Sequence, residues 1–231
     1  MIAQGVLLDS PPLDVFGQMA LDEALAQAKP AEFCLRFFRW KGVGATFGYG
    51  QRIAEVEQAL PPELARACTR RPTGGGVVPH VEDLTFSCVF PAAGTLRPTE
   101  IYRRLHATIL AGLRGTVPAA RLAESGGRGA PRGPGGASQC FVDPVALDVM
   151  VADKKILGGA IRRFGETVLY QGSLQLPDAR MRAAELEAAL AGALAEAHGL
   201  RWARREASAE VRAAAVELEA KYRSETWIRR R

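Results

Sequence analysis

Residues 70–76 read Arg-Arg-Pro-Thr-Gly-Gly-Gly, and this run constrains the chain more than any other. Pro72 and three successive glycines cannot continue a helix or a well-packed strand, so a turn must interrupt regular structure here. Consecutive glycines also let the backbone approach a ligand closely and aim several N–H groups at one anion. Arg70 and Arg71 beside them add permanent charge of a kind that suits phosphate or carboxylate. The run is neither GxxxxGK[ST] nor GxGxxG. Taken alone, the glycines fit a tight structural turn as well as a binding loop.

The flanking segments define its setting. Residues 14–29 place Met19, Leu21, Leu25 and several alanines at helical spacing with Gln18, Asp22 and Glu23 between them, which predicts an amphipathic helix ended by Pro30. Phe33–Trp40 and Ala45–Tyr49 read as short strands separated by a glycine-containing break, and residues 52–68 as a helix interrupted at Pro61-Pro62. Leu84–Phe90 alternates like a strand, and residues 98–115 read as a helix with Thr99 as N-cap. Ala146–Ala152 and Val168–Leu176 read as strands flanking Lys154–Arg163, followed by helices at 179–197 and 207–222. This order fits a mixed α+β domain, a central mixed sheet with flanking helices, better than regular βαβ alternation. Ser125–Ser138 holds six glycines and two prolines among fourteen residues, so it is expected to be a mobile loop. A lid over a site and a tolerated insertion both fit it.

Composition narrows the class. The 231 residues suffice for one domain spanning 1–231 with its own core. Of thirty basic residues only five are lysine, and the arginine excess with abundant alanine and glycine resembles coding bias. The net charge of +5 comes with no recognition motif, so nucleic acid is not an expected partner, although a basic surface can steer an acidic protein. Cys34, Cys68, Cys88 and Cys140 lack zinc spacing and read as reduced thiols of a cytoplasmic protein. No metal site is expected among the side chains. There is no signal-peptide pattern and no apolar run of membrane length, so no membrane association is expected. A monomer fits the lack of an unexplained apolar stripe.

Two further segments carry chemistry. In Asp148–Arg163 (DVMVADKKILGGAIRR), Lys155 precedes an apolar pair and then Gly158-Gly159, so its stem can pack while its ammonium meets a negative charge. Lys154 reads as solvent-facing, and a lysine pair on a plain surface fits the same residues. Cys140 follows the glycine-rich segment and lies near Lys155 in sequence. A neighbouring cation would make its thiol nucleophilic, while an inert packing role stays open. His80, four residues past Gly76, is the histidine with a site-related reading; His106 reads as structural and His198 as part of a polar stretch.

These segments together resemble a known family. RRPTGGGVVPHVEDLTFS is similar to the RRxxGGGxVxH…DLxxS signature of the lipoate–protein ligase A family, within the biotin/lipoate protein ligase superfamily. GQMALDEAL resembles its NMALDEAL helix, DVMVADKKILGGAIRRFGETVLYQGSLQL its KKIxGxAxRR segment, and KYRSETW its closing block. The blocks run in family order from about residue 17 to 227.

The resemblance implies the biotin/lipoate protein ligase catalytic-domain fold and an acyl-adenylate cleft. ATP with Mg2+ would activate lipoate or octanoate, and a lysine of a lipoyl carrier domain (2-oxoacid dehydrogenase E2 or glycine cleavage H protein) would receive the acyl group. Lys155 matches the family's essential lysine and would stabilise charge in both transfers. Arg71, Thr73, Gly74, Gly75, Gly76, His80, Asp148, Gly158, Gly159 and Ala160 fall on motif positions and are expected to bind substrate or nucleotide. The acyl tail is expected between the ALDEAL helix and the Leu84–Phe90 strand. Gln171-Gly172 departs from the family's His-Gly. No separate C-terminal accessory domain is expected after Trp227, so either the single domain suffices or a second polypeptide supplies that function as an accessory subunit. Within the superfamily, one octanoyltransferase branch carries its nucleophilic cysteine in a CFxxP-type segment, which Cys140–Pro144 resembles. The Thr73–Gly76 run is that of ligases, so an ATP-dependent ligase is the first expectation and a Cys140 transferase the alternative. A non-catalytic carrier-binding subunit is a third reading, disfavoured by Lys155 and the glycine loop.

Overall fold

The computed structural model describes residues 3–92, 96–124, 141 and 145–230. Ser125–Ser138 and Cys140 lie outside the described residues. The elements run β1 (Ala3–Asp9), β2 (Pro12–Leu13), α1 (Val15–Gln27), β3 (Phe33–Phe37), β4 (Arg39–Trp40), β5 (Gly44–Phe47), α2 (Ile53–Ala59), α3 (Pro62–Arg66), β6 (Cys68–Arg70) and β7 (Val78–His80). They continue with β8 (Leu84–Pro91), α4 (Pro98–Leu113), β9 (Ala120–Leu122), β10 (Val149–Val151), β11 (Lys154–Phe164), β12 (Thr167–Leu174), α5 (Ala183–His198), β13 (Leu200–Glu206), α6 (Ala209–Arg223) and α7 (Glu225–Ile228).

Eight strands form the main sheet in the order β13-β1-β3-β8-β12-β11-β10-β9, parallel at β13/β1 and β1/β3 and antiparallel elsewhere. A three-stranded sheet, β6-β5-β7, stands beside it and carries the glycine run between β6 and β7. The fold is therefore mixed α+β with a large central mixed sheet. No helix among the described residues is long and apolar enough to cross a membrane.

Strand alternation divides the sheet into two chemically different faces. Phe33, Leu35 and Phe37 of β3, Phe86 and Cys88 of β8, and Val168 and Tyr170 of β12 pack with α4 and α5 in the larger core. The residues between them point to α1 and α6, and there Arg36, Thr85, Ser87, Gln171 and Ser173 interrupt the apolar surface, all buried. Burying that many polar groups is costly unless each is paired, so this face must carry a hydrogen-bond network.

Helix α1 supplies it. Asp14 caps the helix by accepting from the Phe16 and Gly17 N–H groups at 3.1 and 3.0 Å. Gln18, Asp22 and Glu23, expected on the solvent face of an amphipathic helix, are all buried. The Asp22 carboxylate accepts from Arg36 Nε and Nη2 at 3.0 and 2.5 Å, from Ser87 Oγ at 2.7 Å and from Gln171 Nε2 at 2.7 Å. Gln18 Oε1 accepts from Arg36 Nη1 at 2.6 Å, and Glu23 pairs with Lys221 of α6 at 2.6 Å. The helix is thus buried all round, because its polar stripe meets partners on β3, β8, β12 and α6.

Several boundaries differ from expectation. The first residue of α4 is Pro98 and its N-cap is Arg97, which puts Thr99 inside the first turn. Proline's fixed φ and missing N–H suit that first helical position. Lys154–Arg163 is itself strand, part of the longest strand among the described residues. Strands β1 and β13 pair in parallel at the sheet edge, Ala3 with Leu200 through Asp9 with Glu206. In α4, His106 is buried, with Nδ1 donating to the Leu147 carbonyl at 2.8 Å, so Nε2 accepts the Tyr170 hydroxyl at 2.9 Å. Burial pushes His106 down from 6.5 to about 3, against the smaller raising effect of that backbone bond, so it stays neutral.

Removing one partner of the buried pair strands the other. Arg36→Met is expected to cost about 3–5 kcal/mol in thermal or denaturant unfolding; a loss within the range of an ordinary surface substitution would contradict the hub. His106 binds a proton in the unfolded chain below 6.5 but not in the folded one until about 3, so it destabilises the fold progressively as pH falls through that window. Unfolding midpoints of His106→Gln should show a shallower acid decline than the parent, and parallel curves would contradict this.

Candidate active site

Lys155 stands near the start of β11, opposite Met150 of β10. The hairpin between them turns at Ala152, which has a left-handed φ of 48°. Strand alternation turns Lys155 inward, where it is 7% exposed, and leaves Lys154 in solvent. The Lys155 ammonium lies 2.8 Å from Asp148 Oδ2, with both side chains buried. Val145 N–H donates to the same oxygen at 2.7 Å, and the Tyr102 hydroxyl donates to Oδ1 at 2.6 Å. A carboxylate so fully supplied with donors is the condition under which a buried ion pair is tolerated. The ammonium also lies 5.3 Å from the centre of the Phe141 ring, a cation–π distance.

The glycine run folds against β5. Arg71 N–H donates to Phe47 O and Tyr49 N–H to Thr73 O, at 2.9 and 2.8 Å. A Cβ on Gly48 would fall 1.9 Å from the Gly75 carbonyl oxygen, so the two backbones meet where a side chain has no room. Gly75 itself has φ +92°. The two arginines separate in role. Arg70 is buried and donates to five carbonyls, those of Tyr49, Gln51, Trp227, Ile228 and Arg230, tying α7 to this loop. Arg71 curls over its own loop, donating to Gly74 O through Nη2 at 2.6 Å and to Thr46 Oγ1 through Nη1 at 3.3 Å. Thr73 donates to Gln171 Oε1 at 2.7 Å, joining the loop to Asp22 through one side chain.

His80 ends β7 and is buried. Its Nδ1 lies 2.8 Å from Asp83 Oδ2, its Nε2 lies 2.9 Å from Thr46 Oγ1, and Trp40 stacks on the ring at 4.3 Å. Burial would raise the Asp83 carboxyl, but His80, Thr85 and Ser173 together hold it below its ordinary value. Asp83 therefore remains a carboxylate that orients the imidazole.

Arg71, His80, Gly158, Gly159 and Ala160 line one cleft together with Met19, Thr46 and Gln171. Lys155 and Asp148 lie at its side on β11 and the turn before β10, linked to it because Gly159 N–H donates to the same Tyr102 hydroxyl, at 3.3 Å. Gly74 and Gly76 shape the loop without lining that cleft, and Thr73 is turned to Gln171. Cys140 is outside the described residues, one peptide bond from Phe141. The described residues hold no cluster of three or more His, Cys, Asp or Glu able to hold a metal. Thr46, Asp83 and Tyr102 were not singled out from sequence. Asp83 sits within the Arg70–Ser87 block, whereas Thr46 and Tyr102 carry no signal in a strand-like run and a helical stripe.

Residues 14–198 match the lipoyl protein ligase A/B catalytic domain. The chain is 31% identical over 182 residues to octanoyltransferase LipM of Moorella thermoacetica, covering 74% of this chain and 64% of that protein, just under two thirds of its length. It is 30% identical to octanoyltransferase LipM of Kyrpidia tusciae, covering 90% of this chain and 92% of that one. The bi-partite lipoate protein ligase of Thermoplasma acidophilum superposes with a TM-score of 0.74 at 21% identity, over 99% of this chain and 96% of that one, which shows the shared fold. With the sheet, the glycine loop and the β11 lysine in their common order, this chain belongs to the lipoyl protein ligase A/B catalytic domain family.

Proposed function

We propose that the protein is an octanoyltransferase that moves an octanoyl group from acyl carrier protein to a lysine of a lipoyl carrier domain, through a thioester on Cys140. The carrying observation is the contact of Phe141 with Lys155, because Cys140 immediately precedes that ring in sequence. The two similar curated proteins, named octanoyltransferases, support the same reading.

The chemistry follows from the charges. An ammonium beside Cys140 would favour its thiolate, the nucleophilic form. The thiolate attacks the octanoyl thioester carbonyl, the carbonyl oxygen gains negative charge, and the carrier thiolate leaves, taking a proton from the medium. Lys155, held by Asp148, stabilises the oxyanion. The unprotonated amine of the acceptor lysine then attacks the enzyme thioester. The amide forms, Cys140 departs as thiolate, and the amine gives up its proton. The acyl chain would enter between α1, at Met19, and the glycines of β11, and the cleft there, about 30 Å³, would have to widen to take it. An E2 or H-protein lipoyl domain is the acceptor this chemistry fits.

ATP-dependent ligation is the second reading, favoured by the Thr73–Gly76 run and by the fold shared with a lipoate protein ligase. Arg71, beside the glycine run, would meet the phosphates in that reading; the names of the two similar proteins, both octanoyltransferases, favour transfer.

Purified protein mixed with octanoyl–acyl carrier protein and an apo lipoyl domain should form octanoyl-lysine without ATP. Cys140→Ala should abolish product. Lys155→Ala should lower the rate by roughly 100-fold or more while the protein stays folded. Product made solely from free octanoate with ATP and Mg2+, and retained in Cys140→Ala, would overturn the transferase reading in favour of ligation.

A further inference from the structure

We infer that Tyr102 is a positioning residue that fixes Lys155 and the Gly159 backbone relative to one another, an inference that rests on the proposed acyl transfer. Tyr102 belongs to α4, on the face of the main sheet opposite α1, and to none of the motifs that mark the site. Its hydroxyl meets two groups at once. The Asp148 carboxylate has no proton to give, so at 2.6 Å the tyrosine must donate to Oδ1. That leaves the hydroxyl lone pairs for Gly159 N–H, at 3.3 Å. One oxygen thus supports the carboxylate that holds the Lys155 ammonium and also the backbone N–H of a residue lining the cleft.

This link is needed because β11 loses its other support at that point. Strand β10 covers β11 from Lys154 through Leu157, and from Gly158 onward β11 is paired along β12 alone among the described strands. The Tyr102 hydroxyl reaches the Gly159 N–H beyond the end of that pairing. The ring is itself held: it stacks on His106 at 3.8 Å, and His106 is fixed by the Leu147 carbonyl and the Tyr170 hydroxyl. Tyr170 in turn lies under Gly159, where a Cβ would fall 2.4 Å from its ring. His106 stays neutral through the working range, so the support does not change charge with pH. Tyr102 touches no reacting atom in this account and acts through Asp148 and Gly159.

Tyr102→Phe keeps the ring and removes the hydroxyl. The expected result is a kcat lower by about tenfold, the size of one lost hydrogen bond to a charged group, with the KM for the lipoyl domain changed by less than about twofold and the unfolding midpoint near the parent's. A second readout needs no turnover: the rate at which formaldehyde and a borohydride reductant methylate Lys155, followed by peptide mass spectrometry. Loosening of the Asp148 clamp should raise that rate several-fold over the parent. Unchanged methylation, or a kcat equal to the parent's, overturns the inference. If the parent protein itself transfers no octanoyl group, the proposed function fails, and the Lys155 methylation rate still decides whether Tyr102 positions the ammonium.

Discussion

The Asp22 carboxylate is the group on which the functional side of this molecule depends. It is fully buried, and so is Arg36 opposite it. Burial lowers the affinity of Arg36 for its proton, and the adjacent carboxylate opposes that effect. Neither charge is stable there alone, so α1 and β3 must be in register for either to be buried. Ser87 and Gln171 extend the same carboxylate's reach to β8 and β12, and Gln171 extends it to Thr73 in the glycine loop. One acidic side chain therefore couples the helix, three strands and the turn that borders the cleft. Gln171 replaces the histidine that its motif leads one to expect, and it does so with an amide able to donate to Asp22 and accept from Thr73 together.

Beyond that hub, the site is built from polar groups that hold each other while leaving backbone exposed to a ligand. His80 is oriented by Asp83, Arg71 by Thr46 and its own loop, and Lys155 by Asp148. Three glycines, Gly158, Gly159 and Gly172, line the cleft between them. Preorganised charge beside bare backbone is what acyl transfer through an oxyanion requires, because the donors need not reorganise as charge develops. The small sheet contributes rigidity from outside: Arg70, with its five carbonyl acceptors, makes the end of the described chain part of the loop's support.

Much of this was legible in the sequence because motif residues keep both spacing and chemistry. The mixed α+β order and the turn at Gly74–Gly76 follow from residue type and period, whereas Lys155 was picked out by the family resemblance, since the lysine pair alone also fits a plain surface. What was not legible has physical causes. Strand β13, LRWARRE, carries four charged residues among seven because it is an edge strand with both faces partly in solvent, so it lacks the alternation of a half-buried strand. Helix α1 looked amphipathic because Asp22 and Glu23 are polar, and nothing in the local sequence says that Arg36 and Lys221 wait opposite them. The two arginines of the glycine run are equivalent on paper, and only the return of Trp227–Arg230 separates Arg70 from Arg71. Tyr102 is one more aromatic on a helical stripe until Asp148 and Gly159 are brought to its hydroxyl by the tertiary fold.

The central claim, acyl transfer through a covalent thioester, is tested most directly by intact-protein mass spectrometry of the enzyme mixed with octanoyl–acyl carrier protein, without ATP and without an acceptor domain. The account predicts a single octanoyl adduct that hydroxylamine removes and that maps to the peptide carrying Cys140. An enzyme that stays unmodified under these conditions, yet releases AMP when given octanoate with ATP and Mg2+, would contradict it.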